Sequence, residues 1–207
     1  MSGKRALVVG GSNGIGLSIV VQLLEREYEK IYIIDRDKPD CQINSHIEYK
    51  KFNLLSDDYS IFDEFVDIDT LIITAGFGRI SPFESLKEIE IVNSFKVNAI
   101  ATIRIIKKFY KKLCGSKDFY CAVMGSIAGF LSSPLFSVYG ATKASICKFI
   151  ESINIELEMQ GSSNRVLNVS PGSIKGTKFN NGVNDINLTV DLAKEILIKM
   201  YERATLF

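Results

Sequence analysis

Apolar residues along the chain keep two rhythms, and these predict its elements. Ala6-Leu7-Val8-Val9 is a short continuous apolar run that stops at Gly10-Gly11, the pattern of a strand buried on both faces. Ile15, Ile19, Val20, Leu23 and Leu24 then recur at helical spacing. Further strands are predicted at 31–34, ending at Asp35, and more weakly at 47–52, then at 69–74, 119–124 and 166–169. Helices are predicted over 88–113, as one long segment, over 136–159 and over 190–203. Strands alternating with helices along the whole chain predict an α/β fold: a Rossmann-type doubly wound parallel sheet with helices on both faces. No linker divides the chain, so 1–207 reads as a single domain. In such sheets ligands bind beyond the carboxyl ends of the strands.

Composition narrows the class. With 207 residues, 46% hydrophobic and 24% charged, the chain has enough core for one soluble globular domain. A net charge of +1 gives no reason to expect a nucleic-acid or anionic-membrane partner. The lysine pairs Lys107-Lys108 and Lys111-Lys112 read as the solvated end of a helix. Cys41, Cys114, Cys121 and Cys147 form no C-x-x-C pair, and His46 is the sole histidine, so no metal site is expected. The sequence shows neither a signal-peptide pattern nor an apolar window of the roughly 18 residues a membrane span needs. A reduced, cytoplasmic protein is the expectation.

The chemistry begins at Gly10-Gly11-Ser12-Asn13-Gly14-Ile15-Gly16, between the first strand and the first helix. Gly10 suits the tight turn, Gly14 the approach of a pyrophosphate to the backbone, and Gly16 close packing of the helix. Phosphates would then meet the free amides at the helix start. Asp35 closes the second strand, 19 residues after Gly16. A carboxylate there accepts hydrogen bonds from the adenosine ribose hydroxyls and repels a 2′-phosphate. NAD is therefore the expected cofactor; Arg36, which could bind that phosphate, makes NADP the alternative.

Taken together, several separated segments resemble the short-chain dehydrogenase/reductase family in its non-extended branch, over about residues 4 to 177. The glycine loop is similar to T-G-x-x-x-G-x-G, with Val9 in place of the threonine. Thr74-Ala75-Gly76 matches the end of N-N-A-G, with Ile73 and Thr74 replacing both asparagines. Asn98 matches the helix asparagine, Ser126 in Gly125-Ser126-Ile127 the catalytic serine, and Tyr139-Gly140-Ala141-Thr142-Lys143 the Y-x-x-x-K motif. Asn168-Val169-Ser170-Pro171-Gly172 matches the segment lining the nicotinamide pocket.

The resemblance implies an oxidoreductase moving a hydride between a nicotinamide cofactor and a small carbonyl or alcohol substrate. Tyr139 would be the general acid/base. A phenol is a poor base at neutral pH, and an ammonium four residues on along a helix favours its ionised form. Lys143 would play that part and hold the nicotinamide ribose, Ser126 would orient the reacting oxygen, and Asn98 would hold a relay water. The cofactor-binding set comprises Gly10, Ser12, Asn13, Gly14, Ile15, Gly16, Asp35, Arg36, Asn53, Leu54, Ala75, Gly76, Tyr139, Lys143, Pro171, Gly172 and Ile174. Asn53 stands where the family often has an adenine-contacting aspartate, and Gly176-Thr177 shifts the usual threonine by one position. The chain is also shorter than typical members: its last sheet strand is expected to be short or missing, with Ala204 to Phe207 as candidates for its start. The two long helices are the expected face of any homodimer.

Three expectations concern specificity. Residues 173–188 sit where the family places its substrate lid, and their asparagines (Asn180, Asn181, Asn184, Asn187) suit either a small or polar substrate or a mobile loop that nothing selects. Phe130, Leu131, Leu135 and Phe136 either wall the site or pack. Arg79 is either an anion anchor or, more simply, a surface arginine. The competing reading is a nucleotide-binding sensor or scaffold without turnover.

Overall fold

The structure is a computed structural model, in which residues 3–39, 44–179 and 182–207 are described. Cys41, Asn180 and Asn181 lie outside the described residues. Six strands, β1 (Arg5–Val9), β2 (Lys30–Asp35), β3 (Ile47–Lys51), β4 (Thr70–Ile73), β5 (Tyr120–Met124) and β6 (Val166–Val169), form one parallel sheet in the order β3-β2-β1-β4-β5-β6. The helices are α1 (Gly14–Glu25), α2 (Glu88–Phe95), α3 (Ala101–Cys114), α4 (Ser137–Met159) and α5 (Val190–Tyr201).

Side chains alternate across each strand, so a strand apolar at every position serves two cores. Leu7 and Val9 of β1 pack with Ile105, Phe109, Ile146 and Ile150 of α3 and α4. Ala6 and Val8 pack with Ile19, Leu23, Ile196 and Leu197 of α1 and α5. The central strand β1 pairs with β2 on one side and β4 on the other. The chain leaves β1 in one direction and later crosses to the opposite side, which opens a crevice at the carboxyl ends of β1 and β4.

Two sequence expectations need correction. Strands and helices do not alternate throughout. No helix links β2 to β3 among the described residues, and β3 reaches β4 through a single 3₁₀ turn, Ser60–Glu64. The polar stretch Arg36-Asp37-Lys38-Pro39 has no apolar stripe to hold a helix on the sheet. The helix expected as one piece over 88–113 is divided by a π-helical turn at Lys96–Ile100, and that turn carries Asn98. Such a turn inserts an extra residue, which re-aims a side chain without ending the helix.

The chain's last residues lie along the outer edge of β6. Asn168 N donates to Thr205 O at 3.0 Å, Phe207 N to Asn168 O at 2.9 Å, and Ser170 N to Phe207 O at 2.6 Å. The resulting bridge is parallel, so 205–207 occupy the seventh strand position.

Candidate active site

Steric crowding explains the glycine loop. Gly10 adopts φ +90°, and a β-carbon there would collide with the backbone of Ala75. A β-carbon on Gly16 would collide with Gly10 O, so α1 rests directly on the turn out of β1. The side chain of Asn13, at the N-cap of α1, makes no capping bond. Instead Asn184 Oδ1 accepts from Gly14 N at 2.6 Å. Asp35 Oδ2 accepts from Ser12 N at 3.0 Å and Oδ1 from Arg36 N at 2.7 Å, which aims the carboxylate at the loop. Ser12 is buried and its hydroxyl donates to Asp37 O. The Arg36 guanidinium is exposed and turns to Asp37 at 3.3 Å.

Thr74 replaces a motif asparagine and does a tying job of its own. Its hydroxyl lies 3.0 Å from Gly10 O and 3.2 Å from Val9 O, joining the end of β4 to the glycine loop. Ala75 and Gly76 follow at the mouth of the crevice; a β-carbon on Gly76 would lie 3.1 Å from Asn98 Oδ1 and 3.4 Å from Lys143 Nζ. Asn53 Oδ1 accepts from Leu55 N, shaping a local turn, and Leu54 packs on the core. Pro171 O accepts from Ile127 N at 3.1 Å; Gly172 faces open space, and Ile174 is half-buried.

The second half of the site stands on α4. Its buried positions, Thr142, Lys143, Ile146, Cys147, Ile150, Asn154 and Leu157, recur every three or four residues, and Lys143 occupies a core position among them. Lys143 is only 3% exposed; its Nζ donates to Met124 O at the end of β5 (2.8 Å) and lies 5.8 Å from the Tyr139 ring centroid. Burial lowers the Lys143 ammonium from its usual value to about 8. Burial raises the Tyr139 phenol above its ordinary 10, and the hydrogen bond with Ser126 pulls it back down. The Lys143 ammonium is thus not the main influence on the phenol here; loss of hydration is.

Ser126 Oγ accepts from Ala128 N at 3.2 Å, which leaves its own proton to donate. Asn98, on the π-turn, is fully engaged: Oδ1 accepts from Phe77 N at 2.9 Å, while Nδ2 donates to Phe77 O at 2.7 Å and Thr142 Oγ1 at 3.0 Å. Thr142 in turn donates to Tyr139 O at 2.7 Å. A β-carbon on Gly78 would collide with Tyr139 Cδ2, so the 77–78 backbone lies flat against the phenol ring.

Sequence reasoning does not single out Thr142, the bond of Thr74 to the glycine loop, Asn184 on Gly14, or Phe179 on Tyr139. Thr142 is within its reach, since it sits three residues after Tyr139 on the same helix face. The contacts of Phe179 and Asn184 depend on the path of a loop, which no periodicity reports. Arg79 proves to be paired, with both Glu90 carboxylate oxygens within 3.1 Å of it. Among the described residues no cluster of His, Cys, Asp and Glu could hold a metal, and no helix is long and apolar enough to cross a membrane.

Comparison with known proteins gives this arrangement its class: residues 4–187 match the family model for short chain dehydrogenases, and the chain belongs to that family. It is 26% identical over 214 residues to a probable short-chain type dehydrogenase/reductase, VdlC, of Helicobacter pylori, covering 96% of this chain and 78% of the relative. It is 27% identical over 188 residues to the uncharacterized oxidoreductase TDA5 of Saccharomyces cerevisiae, covering 84% of this chain; it spans 56% of that relative's length. In fold it is similar to a short chain dehydrogenase from Burkholderia cenocepacia in complex with NADP, with TM-score 0.83, 22% identity and coverage of 99% of this chain and 87% of the other. An alcohol dehydrogenase from Thermococcus sibiricus complexed with 5-hydroxy-NADP gives TM-score 0.80 at 18% identity, covering 99% and 94%. The chain is thus an oxidoreductase-family protein with an NAD(P)-type Rossmann fold.

Proposed function

We propose that this protein transfers a hydride between a nicotinamide cofactor and a carbonyl/alcohol pair, with Tyr139 as general acid/base. The observation that carries the reading is Lys143: a lysine in the buried stripe of a helix, under the ring of Tyr139, with its nitrogen on the Met124 carbonyl. Burying an ammonium is costly, and packing alone would put an apolar residue there.

The crevice fits a dinucleotide. Gly10 and Gly16 let α1 start directly on the turn out of β1, which brings its first-turn amides to the crevice, and that turn lacks an Asn13 cap. The backbone of 13–16, Asp35, Ala75, Gly76, Lys143 and the 171–174 turn would hold the group, which supplies or takes up the hydride. Asp35, bound to two loop amides, and Asp37 beside Arg36 together favour an unphosphorylated ribose, hence NAD over NADP. Ser126 then donates to the substrate oxygen and Tyr139 gives or takes its proton. Lys143 holds positive charge near the phenol, and Asn98 with Thr142 ties the loop at Phe77 to the helix that positions both.

The test is a fluorescence titration with NADH and NADPH, followed by a panel of carbonyls. NADH is expected to bind more tightly, Asp35→Ala to reverse or erase the preference, and Tyr139→Phe to abolish reduction while keeping cofactor affinity. Binding without turnover on any carbonyl would instead support a sensor or scaffold. We also propose a homodimer on α3 and α4, which leave Ile103 and Ile155 exposed and enclose a groove of about 120 Å³ lined by Tyr110, Phe149 and Ile153. Sedimentation should show a dimer that Ile103→Glu dissociates. The free thiols of Cys114, Cys121 and Cys147 favour a reducing compartment, the cytoplasm, which localisation of the tagged protein in cells would test.

A further inference from the structure

The segment 173–188 is rich in asparagine, yet its described asparagines are engaged away from Tyr139. Asn184 spends its side-chain oxygen on Gly14 N, and Asn187 spends its amide on Asp185 Oδ1 at 3.1 Å. The side chain this segment lays on Tyr139 is Phe179: the two rings lie 5.1 Å apart at 48°. Phe136, from the start of α4, meets the same phenol at 5.9 Å and 58°. The segments that carry Gly76 and Ser126 add further apolar side chains. Phe77 follows the Gly76 turn, while Ile127, Phe130 and Leu131 follow Ser126, and all four are more than a third exposed. Leu135 is tied to Ser81, its O accepting from Ser81 N at 3.1 Å, and is held at φ +69° with its side chain half exposed. Arg79, two residues after Phe77, is already matched by Glu90.

Monomeric proteins rarely leave so many large apolar side chains together without a use for them. Phe179 and Phe136 lie against the Tyr139 ring itself, so whatever covers them also reaches the reacting oxygen. We infer that the substrate's carbonyl carries a large apolar substituent, an alkyl chain or aromatic ring, held by Phe179 and Phe136 beside Tyr139. The inference rests on the hydride-transfer reading above and replaces the small, polar substrate that the lid's composition suggests. Phe179 is the specificity-determining residue: of the two rings on the phenol, it is the one that comes from the lid. Lys175 and Lys178 are exposed on the same segment, and they make an anionic chain the competitor to exclude.

The test uses a homologous series of neutral 2-alkanones from acetone to 2-nonanone, each paired with an ω-carboxylate of equal length. Reduction is followed with saturating cofactor. The same ketones are titrated by calorimetry into the protein with oxidised cofactor, where no reduction can occur. For the neutral series, kcat/KM and affinity should each rise about threefold per added methylene. In Phe179→Ala that factor should fall toward one, and in Phe179→Leu most of it should return. Affinities that rise with length while no ketone is turned over would uphold the apolar mouth and sink the hydride-transfer reading. Turnover that is flat with length, or faster with the carboxylates, would sink the apolar mouth and leave hydride transfer intact. A protein that neither binds nor reduces the series would overturn both.

Discussion

Helix α4 and the segment 173–188 meet at the same phenol, and they reach it by opposite means. On α4, Tyr139, Lys143 and Cys147 fall at four-residue intervals along one face, and 23 helical residues anchored by Ile146, Ile150 and Leu157 fix that face against the sheet. In the segment, a 3₁₀ turn at Ile186–Leu188 and a few specific bonds do the anchoring: Asn184 to Gly14, and the Ser18 hydroxyl to Thr189 at 2.5 Å. The helix sets chemistry that must not move. The loop sets which molecule arrives. The contrast can be broken at either end, and the effects should be largest at the helix.

The largest effect should come from Lys143→Met. Losing the ammonium beside the phenol should cut reduction by roughly a thousandfold or more. Stability should move the other way. The folded value of Lys143 lies at about 8, below its unfolded 10.5, so protonation favours the unfolded chain. Stability of the native protein is therefore lowest below pH 8, where the buried group is charged, and rises with pH between about 8 and 10.5. Replacing the charge with a methionine of similar length should raise stability at pH 7 by about 2 kcal/mol and flatten that rise. A calorimetric scan from pH 6 to 10 reads both. A variant that is less stable than the native protein at pH 7 would mean that the Met124 hydrogen bond outweighs the cost of burying the charge.

That same lysine shows why the helix half is legible in the sequence. A lysine on an apolar stripe contradicts its own environment, and the four-residue spacing to Tyr139 by itself puts both on one face. The glycine loop is legible for a related reason: only glycine tolerates φ +90° at position 10 or a contact as close as the one at Gly16. The π-turn at 96–100 is not legible, because Val97, Ala99 and Ile100 continue a helical pattern and the extra residue leaves no mark in composition. That no helix links β2 to β3 among the described residues escapes for another reason: the regular alternation on either side invites a helix where Arg36 to Pro39 offer no apolar stripe. The lid misleads most. Its composition is polar, yet among its described residues the one on Tyr139 is an aromatic, and composition says nothing about which side chain of a loop turns inward.

An intermediate effect should appear where the cofactor crevice meets the sheet. Gly16→Ala places a methyl within van der Waals overlap of Gly10 O and Thr74 Oγ1, both tied to the end of β4. The helix must shift, at a cost of about 2 kcal/mol, even though alanine is the better helix former. Cofactor affinity should fall about tenfold or more, because the first-turn amides move with the helix. Denaturant unfolding and NADH titration measure the two; affinity held at the native level despite the lost stability would show that the cofactor does not use those amides. The pH profile should give a smaller, graded effect. Reduction needs the protonated pair, so its rate should fall as pH climbs through about 8, where Lys143 gives up its proton.

The smallest effect is expected at Asn184, and it separates the two ways of anchoring most cleanly. Its side-chain oxygen, 2.6 Å from Gly14 N, caps α1 across 170 residues of sequence, in place of the capping bond that Asn13 does not make. Removing a cap of this kind costs about 1 kcal/mol. In Asn184→Ala, stability should fall by that amount, and amide hydrogen exchange should quicken over 176–188 while α4 stays protected. Anions also favour a helix N-terminus, so the Gly14 amide that Asn184 holds is one a dinucleotide phosphate would use. Freed of that competitor, the amide should bind NADH with unchanged or about threefold higher affinity. A fall in affinity would mean instead that Asn184 holds the glycine loop in its binding shape, and the lid would then share with the helix the work of fixing the chemistry.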